Sequence, residues 1–252
     1  MYAVFVELNV FSQYSTYLPS TSASSEAYPL PPPTTLVGAL AYPYTRLKYG
    51  VREYINGYSP AIELINEVKY ASAGIPLDEI IVPTKNIERL YQHIYLRPDY
   101  RRDVGRAYTV GVRPVLYANK MYLLYIVRGS KPDIIKYSYG IIRVGRKESL
   151  VSVNKVYVYK VDDIISSDKV CETKFYFPSR IALNWVEKDV SGTEINMPAI
   201  RKENFGKGKI YYEKYVVPIP FSLNPIRVAI NDKGLILKIN NTCVPVPGDI
   251  IE

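Results

Sequence analysis

The sequence predicts an α+β fold. Three observations predict it: an alternating apolar segment at residues 2–10, apolar residues at helical spacing within residues 34–49, and a return to strand-like runs over most of the remaining chain. The order of one strand, a helix and then further strands is compatible with a ferredoxin-like unit. The first strand is the clearest case, since Tyr2, Val4, Val6, Leu8 and Val10 would share one face.

A proline-rich segment precedes the predicted first helix. Pro31–Pro33 favour an extended chain, because each ring restricts its own φ angle and the conformation of the preceding residue. Thr34 or Thr35 is then placed to cap the helix with a hydroxyl group. A helix amino terminus is a natural anion site, so both threonines are candidate phosphate contacts. The alternative is a well-capped helix that serves only the core.

The rest of the chain divides into shorter elements. A serine followed by proline, Ser59-Pro60, predicts a second helix that ends near Lys69. Two strands are expected to meet at Ala118-Asn119, followed by a short helix after Pro132 and a strand that ends near Val161. The last ninety residues are strand-rich. We therefore expect two domains, residues 1–161 with a projecting insertion at about 80–130, and a smaller mainly β subdomain at 162–252.

Composition excludes several classes of protein. Hydrophobic residues make up 48% of 252 residues, enough for a real core. The two cysteines, Cys171 and Cys243, are far apart in sequence, which argues against a disulfide framework and a zinc site. A single histidine excludes a histidine-rich metal cluster, and no nucleotide-binding fingerprint occurs. We expect a cytoplasmic protein with no metal, no cofactor and no membrane segment.

Positive charge is concentrated in one part of the chain. The net charge of the whole chain is +8, whereas residues 91–160 alone carry fourteen basic and four acidic side chains, a net charge of +10. Such a concentration is the electrostatic signature of a nucleic-acid surface. The alternative is a solvated face of a basic protein. Twenty-five tyrosines add weak support for RNA, because tyrosine rings stack on bases.

Two clusters within this basic stretch are candidate RNA contacts. Arginine suits this role because its planar guanidinium binds phosphate with two hydrogen bonds and stacks on bases. In the first cluster, Asp99 and Asp103 leave open the alternative of a surface salt-bridge network. In the second, a glycine at a turn lets backbone N–H groups approach a phosphate. The first cluster consists of Arg97, Tyr100, Arg101, Arg102, Arg106 and Arg113, and the second of Arg143, Gly145, Arg146, Lys147 and Ser149.

Catalysis is the less favoured alternative. His93 is the one side chain whose ordinary pKa suits acid–base cleavage of RNA at neutral pH. A lone histidine is more often structural, and the sequence nominates no tyrosine or lysine partner for it. A third interpretation is a purely structural subunit whose basic stretch meets an acidic partner.

Two motifs together resemble one family. The segment PLPPPTTLVGALAYP and the later VGRKESLVSV are similar to motifs of the fifth family of CRISPR-associated proteins (Cas-five), in the RAMP superfamily, and most closely to its archaeal type I-A branch. The matching residues of the first motif are Pro32, Pro33, Thr34, Thr35, Leu36, Gly38 and Leu40. Those of the second are Gly145, Arg146, Lys147, Glu148, Ser149 and Val153.

The resemblance implies both a fold and a role. The implied fold is an RRM-like, ferredoxin-like RAMP domain with a projecting β-hairpin thumb and a smaller C-terminal part. The implied role is a subunit of the type I interference complex (Cascade) that caps the five-prime handle of the guide RNA. Its implied partners are the backbone subunit of the seventh Cas family and a large subunit. The segment 97–113 would then lie on the thumb, and Gly145–Ser149 near the handle.

One branch of the family, in type I-C systems, cleaves precursor guide RNA through a tyrosine, a lysine and a histidine. This sequence lacks a Lys-His dipeptide, and Gln92 precedes its single histidine, His93. The departure favours a non-catalytic binding subunit over a metal-independent endoribonuclease.

Overall fold

The computed structural model describes residues 1–18, 26–50, 57–91, 108–128, 131–185, 191–206 and 208–251. The elements of its first part are β1 (Tyr2–Val10), α1 (Pro33–Tyr49), β2 (Val68–Gly74), β3 (Val82–Tyr91), β4 (Tyr108–Tyr117), β5 (Lys120–Val127), α2 (Lys131–Tyr139) and β6 (Val151–Lys160). The later strands are β7 (Ile165–Ser166), β8 (Val170–Thr173), β9 (Phe177–Pro178), β10 (Ala182–Trp185), β11 (Gly192–Pro198), β12 (Tyr212–Pro218), β13 (Ile226–Ile230), β14 (Gly234–Ile239) and β15 (Thr242–Pro247). This mixture of helices and sheets confirms the α+β class.

The central feature is a four-stranded antiparallel sheet in the order β2-β5-β1-β6. β1 lies inside this sheet, pairing with β5 from Tyr2 to Asn9 and with β6 from Tyr2 to Val10. β3 and β4 form a separate two-stranded ladder that runs from Val82 opposite Tyr117 to Tyr91 opposite Tyr108. Residues 92–107, which join these two strands, lie outside the described residues.

Side chains from β1 alternate between two hydrophobic clusters. Val4, Val6 and Leu8 lie in the cluster that contains α1, as the period-two pattern predicts. Ala3 and Phe5 lie in a second cluster that includes residues of β14 and β15. Both faces of the sheet are therefore covered, one by the helices and the other by C-terminal strands. The predicted division into residues 1–161 and 162–252 stays a prediction, and side chains from both parts share these clusters.

The predicted second helix is wrong. Ser59 does accept a hydrogen bond from the Ala61 amide, at 3.4 Å, and Pro60 begins a helical turn. That turn is a single 3₁₀ turn ending at Glu63, and the chain enters β2 at Val68. Burial of residues 61, 64 and 68 mimics helical spacing. Pairing with β5 decides the outcome, since tertiary contacts override local propensity.

The sequence argument against disulfide bonding of the two cysteines is also wrong. Cys171 on β8 and Cys243 on β15 form a disulfide, with their Cα atoms 5.9 Å apart. The bond joins two three-stranded sheets, β10-β13-β8 and β15-β14-β7. Sequence spacing gave no sign of it, because the two residues are 72 positions apart and meet only in the folded chain. In the described part of the chain, no helix has the length and apolar character needed to cross a membrane.

The disulfide closes a loop of 72 residues, so its removal is expected to destabilise the protein by about 4 kcal/mol through the greater entropy of the unfolded chain. Chemical denaturation of the wild type and of Cys243→Ser measures this difference. The Cys171→Ser/Cys243→Ser double variant is the control. Reductant should lower the midpoint of the wild type and leave that of the double variant unchanged; equal midpoints for wild type and double variant would contradict the expected contribution.

A polar cluster joins the carboxyl end of α1 to the 3₁₀ turn. Tyr44 and Tyr49 donate hydrogen bonds to the Glu63 carboxylate, at 2.6 and 3.0 Å, and Lys48 pairs with it at 3.2 Å. The Tyr44 hydrogen bond, more than any other contact, holds the pKa of Glu63 below its ordinary value. Burial, followed by the Glu63 contact, raises the pKa of Tyr44 to about 12.

A carboxyl group whose pKa is lower in the folded protein than in the unfolded chain stabilises the fold at pH values above its ordinary pKa of about 4.3. This stabilisation is lost as the pH falls through the pKa of the folded state. We therefore expect Glu63→Gln to lower the unfolding midpoint at pH 7 by roughly 2–4 °C, the shift that about 1 kcal/mol gives in a chain of this size. Below pH 4 the difference should shrink. Thermal unfolding across this pH range tests it, with Glu172→Gln, an exposed residue of β8, as the control. A constant difference at every pH would contradict the assignment.

Candidate nucleic-acid interface

The predicted contacts fall into three parts of the structure. Arg97, Tyr100, Arg101, Arg102, Arg106 and the alternative catalytic residue His93 lie outside the described residues. Arg113 lies on β4, opposite Asn86 of β3. The second cluster lies in the connection between α2 and β6, which we call the 143–149 loop. This loop is the predicted site that the structure describes in detail.

The backbone of the 143–149 loop is closed by its own hydrogen bonds. Arg143 and Leu150 form an isolated antiparallel bridge. The Val144 amide donates to the Ser149 carbonyl at 3.1 Å, and the Ser149 amide donates to the Arg146 carbonyl at 2.9 Å. The loop is thus a compact turn at the start of β6, with basic side chains at its tip.

The loop is anchored to a distant segment through Ser15. The Arg146 amide donates to the Ser15 carbonyl at 3.2 Å, while the Ser15 amide donates to the Ser149 hydroxyl at 3.1 Å. The Ser15 hydroxyl in turn donates to the Pro114 carbonyl on β4 at 2.7 Å. The Ser149 side chain is 2% exposed. Its position is therefore that of a residue that holds the loop in place, rather than one on the surface.

Gly145 is required by this anchoring. Its φ angle is +103°, in the left-handed region that side chains rarely adopt. A Cβ atom at this position would lie 2.7 Å from the Ser15 carbonyl oxygen. Both the backbone conformation and the close approach explain why a glycine stands here between basic residues.

Tyrosine rings lie against the two arginines of the loop. The Arg146 guanidinium lies over the Tyr17 ring, 4.2 Å from its centroid, and donates a hydrogen bond to the Tyr17 hydroxyl. The guanidinium carbon of Arg143 lies 5.0 Å from the ring centroid of Tyr42 on α1, and that of Arg46 lies 5.3 Å from the same centroid. Such cation–π contacts orient an arginine without neutralising its charge.

Sequence reasoning missed Tyr17, Tyr42 and Arg46. For the pair on α1 a signal existed, because Tyr42 and Arg46 are four residues apart and must share a helix face. Nothing in the sequence links either of them to Arg143, or Tyr17 to Arg146. These contacts depend on how α1 and residues 14–17 pack beside the loop.

The charge of this cluster is not balanced by ion pairs. Within the described residues, no ion pair involves Arg46, Arg143, Arg146 or Lys147. Glu148 is the one carboxylate in the loop itself. The four cations are all at least partly exposed and form a surface that favours an anionic ligand.

The start of α1 differs from its prediction. The amino-terminal cap is Pro32, no side chain caps the helix, and the Thr35 amide bonds to the Pro32 carbonyl at 2.9 Å. The expected threonine cap is therefore wrong. The prolines are buried, and the Tyr176 hydroxyl donates to the Pro31 carbonyl at 3.0 Å. Thr34 and Thr35 are half-buried, and a phosphate contact there stays a prediction.

Gly145→Ala should destabilise the protein by about 1–3 kcal/mol, since it combines backbone strain with a clash against Ser15. Denaturant unfolding measures this. The matched control is Gly38→Ala within α1, where a Cβ atom would meet nothing within 4 Å. Alanine has the higher helix propensity, so this control should be stabilised by up to about 1 kcal/mol. Equal changes in the free energy of unfolding for the two variants would contradict the close approach of position 145 to Ser15.

The sequence relatives of this chain belong to one family. No protein-family model matches the chain. The chain is 33% identical over 178 residues to CRISPR-associated protein Cas5 3 of Saccharolobus solfataricus, which covers 65% of this chain and 67% of the relative. It is 30% identical over 175 residues to the CRISPR system aCascade subunit Cas5 1 of the same organism, covering 65% and 67%.

Solved structures agree in fold. A CRISPR protein from Archaeoglobus fulgidus superposes with a TM-score of 0.61 at 17% identity, covering 98% of this chain and 99% of the other. A chain of a CRISPR RNA-guided surveillance complex superposes with a TM-score of 0.50 at 14% identity, covering 89% and 91%. The fold is therefore that of CRISPR proteins. Together with the sequence relatives, it shows that the chain belongs to the archaeal CRISPR-associated Cas5 family.

Proposed function

We propose that this chain is a non-catalytic RNA-binding subunit of a type I CRISPR interference complex, of the archaeal type I-A branch. In that complex it caps the five-prime handle of the guide RNA. The observation that carries the proposal is the set of cations around the 143–149 loop. Three of them, Arg46, Arg143 and Arg146, lie against tyrosine rings, and neither these nor Lys147 form an ion pair among the described residues. One relative is named an aCascade subunit, and one structural neighbour belongs to an RNA-guided complex.

The strand order supports an RRM-like assignment of the first domain. Leaving out the β3–β4 ladder, the elements follow the order β-α-β-β-α-β, and the sheet order β2-β5-β1-β6 is that of a ferredoxin-like fold. The β3–β4 ladder stands in a sheet of its own, as a projecting thumb would. In the sequence, the arginine-rich residues 97–106 fall between β3 and β4.

RNA contacts in this arrangement come from loops and helix faces. The sheet face away from the helices packs against Leu237 and Val244 of the C-terminal strands, which cover it in the part of the chain that the structure describes. Arg143, Arg146 and Lys147 instead present donors for phosphate oxygens at the end of the sheet. The half-buried rings of Tyr17 and Tyr42 lie beside these donors, and aromatic rings next to cations are suited to stacking on splayed bases. Binding requires no covalent step.

Apolar residues next to the loop support contacts with protein subunits. Phe11, Ile142 and Leu150 are exposed. The Phe11 amide donates to the Leu150 carbonyl at 3.2 Å, and the Ile142 carbonyl accepts from the amide of the next residue, Val151, at 3.0 Å, so the three residues are neighbours. Adjacent exposed apolar residues mark protein interfaces. We assign this patch to the large subunit or to the backbone subunit of the seventh Cas family. A cytoplasmic location is compatible with the disulfide, because intracellular disulfides occur in hyperthermophilic archaea.

The test is a gel experiment with end-labelled repeat RNA and a scrambled control, in EDTA and at several salt concentrations. The Arg143→Ala/Arg146→Ala/Lys147→Ala variant should bind the repeat RNA more weakly. Its log–log salt slope should be smaller by about 0.7 for each lost phosphate contact. The matched control is Lys169→Ala/Arg227→Ala/Lys233→Ala, which removes three exposed cations from the C-terminal strands and their connections. Equal binding by both triple variants would contradict the proposed site.

The same gel experiment also tests the arginine-rich segment and the possibility of RNA cleavage. Arg101→Ala/Arg102→Ala/Arg106→Ala should also weaken binding if the arginine-rich segment contacts the handle. Denaturing lanes from the same tubes test for cleavage, and intact RNA is the expected result. A discrete product in EDTA would favour the endoribonuclease alternative and make His93→Ala the next variant.

A further inference from the structure

A second cationic surface lies far along the chain from the 143–149 loop. β11 and β12 form an antiparallel pair from Gly192 opposite Pro218 to Pro198 opposite Tyr212. The chain between them, residues 199–211, includes the 3₁₀ turn Lys202–Phe205. We call this connection the β11–β12 loop; its residue 207 lies outside the described residues. Arg201, Lys202 and Lys209 are exposed on it.

The β11–β12 loop has a defined internal structure. The Asn204 side-chain amide donates to the carbonyls of Ala199 and Tyr211, each at 2.7 Å, and its oxygen accepts from the Tyr211 amide at 2.7 Å. Phe205 is buried, and its carbonyl accepts from the Ser59 amide at 2.7 Å. Asn204 thus connects the two ends of the loop through hydrogen bonds, and Phe205 packs the loop against the core.

Cations lie beside aromatic rings on the surface of the β11–β12 loop. Arg201 lies 5.5 Å from the centroid of the Tyr211 ring, and Lys202 lies 5.7 Å from that of Tyr58. Tyr211 is 39% exposed and Tyr212 is 45% exposed. Large exposed aromatic side chains beside cations resemble the platforms that hold single-stranded nucleic acid.

Carboxylates beside this surface are already paired elsewhere. Glu194 of β11 pairs with Lys214 at 3.7 Å, and Glu213 of β12 pairs with Arg180 at 3.0 Å. Over the residues that the structure describes, no ion pair involves Arg201, Lys202 or Lys209. Glu203 is the one acidic residue between Arg201 and Tyr211, so the loop keeps a positive charge.

We propose that the β11–β12 loop is a second contact surface for single-stranded nucleic acid, in addition to the handle site. Arg201, Lys202 and Lys209 bind phosphates, and Tyr211 stacks on a base. The two surfaces are distinct. An open cavity of about 840 Å³ is lined by Asn196 and Tyr212, at the strands that flank the β11–β12 loop, and by Leu18 and Pro114, which adjoin the segment that anchors the 143–149 loop.

The first test measures binding of a short fluorescein-labelled oligouridylate to the full chain by fluorescence anisotropy. Each phosphate contact on a single strand contributes a salt slope of about 0.7, which corresponds to about fivefold in affinity near 0.1 M salt. Loss of three contacts in Arg201→Ala/Lys202→Ala/Lys209→Ala should therefore weaken binding about 100-fold and lower the slope by about 2. Lys169→Ala/Arg227→Ala/Lys233→Ala, with the same change in net charge, should bind like the wild type.

The second test separates stacking from charge. Tyr211→Ala should weaken oligouridylate binding by on the order of tenfold, whereas Tyr211→Phe, which keeps the ring, should bind like the wild type. Unfolding midpoints of all variants establish that the fold is retained. Ultraviolet crosslinking of the bound oligonucleotide should place adducts on Tyr211 or Tyr212.

Several results would overturn the proposal. One is wild-type affinity in both triple variants; another is equal weakening by both, which would show that only net charge matters. A third is unchanged oligouridylate affinity together with lost binding to polyglutamate, which would make the loop a surface for acidic protein. The handle site is tested separately by the Arg143→Ala/Arg146→Ala/Lys147→Ala variant. Failure of one site therefore leaves the other measurable.

Discussion

Burial of β1 on both sides is the constraint on which the rest of the structure depends. β1 pairs with β5 and β6 along its length, so its side chains have only two directions in which to point. Val4 and Val6 meet the helices, and Ala3 and Phe5 meet the C-terminal strands. A shift of one residue in register would exchange these sets and place Phe5 against the helices. Two-sided packing therefore specifies the register and the positions of the loops at the sheet ends.

The same packing decides where a ligand can bind. Because both faces of the sheet are covered, donors and stacking rings must come from its periphery. The 143–149 loop follows α2, and Tyr42 lies on α1, so the helices that cover one face also support the loop. Arginines there are held by aromatic rings instead of carboxylates. Their orientation is restricted while their charge stays available to an anion.

Hydrogen bonds between buried polar groups fix the position of the 143–149 loop. Ser15 connects the 143–149 loop to β4 through three hydrogen bonds, and Gly145 allows the close approach that these bonds require. Buried polar groups must be paired, so such a network admits few alternative arrangements. Gly145 and Ser149 thus support the basic side chains beside them, and a phosphate contact of their own stays a prediction.

Local patterns in the sequence determined β1, α1, the successive strands β4 and β5 and the concentration of charge in residues 91–160, because alternation, helical spacing and composition are properties of neighbouring residues. Only the tertiary structure decided that Val68 begins a strand, that Cys171 meets Cys243, and that Tyr17 and Tyr42 receive the arginines of the loop. Each of these outcomes joins residues far apart in the chain. Their free energy comes from packing and pairing that exist only once the sheet has formed, and no local pattern records it.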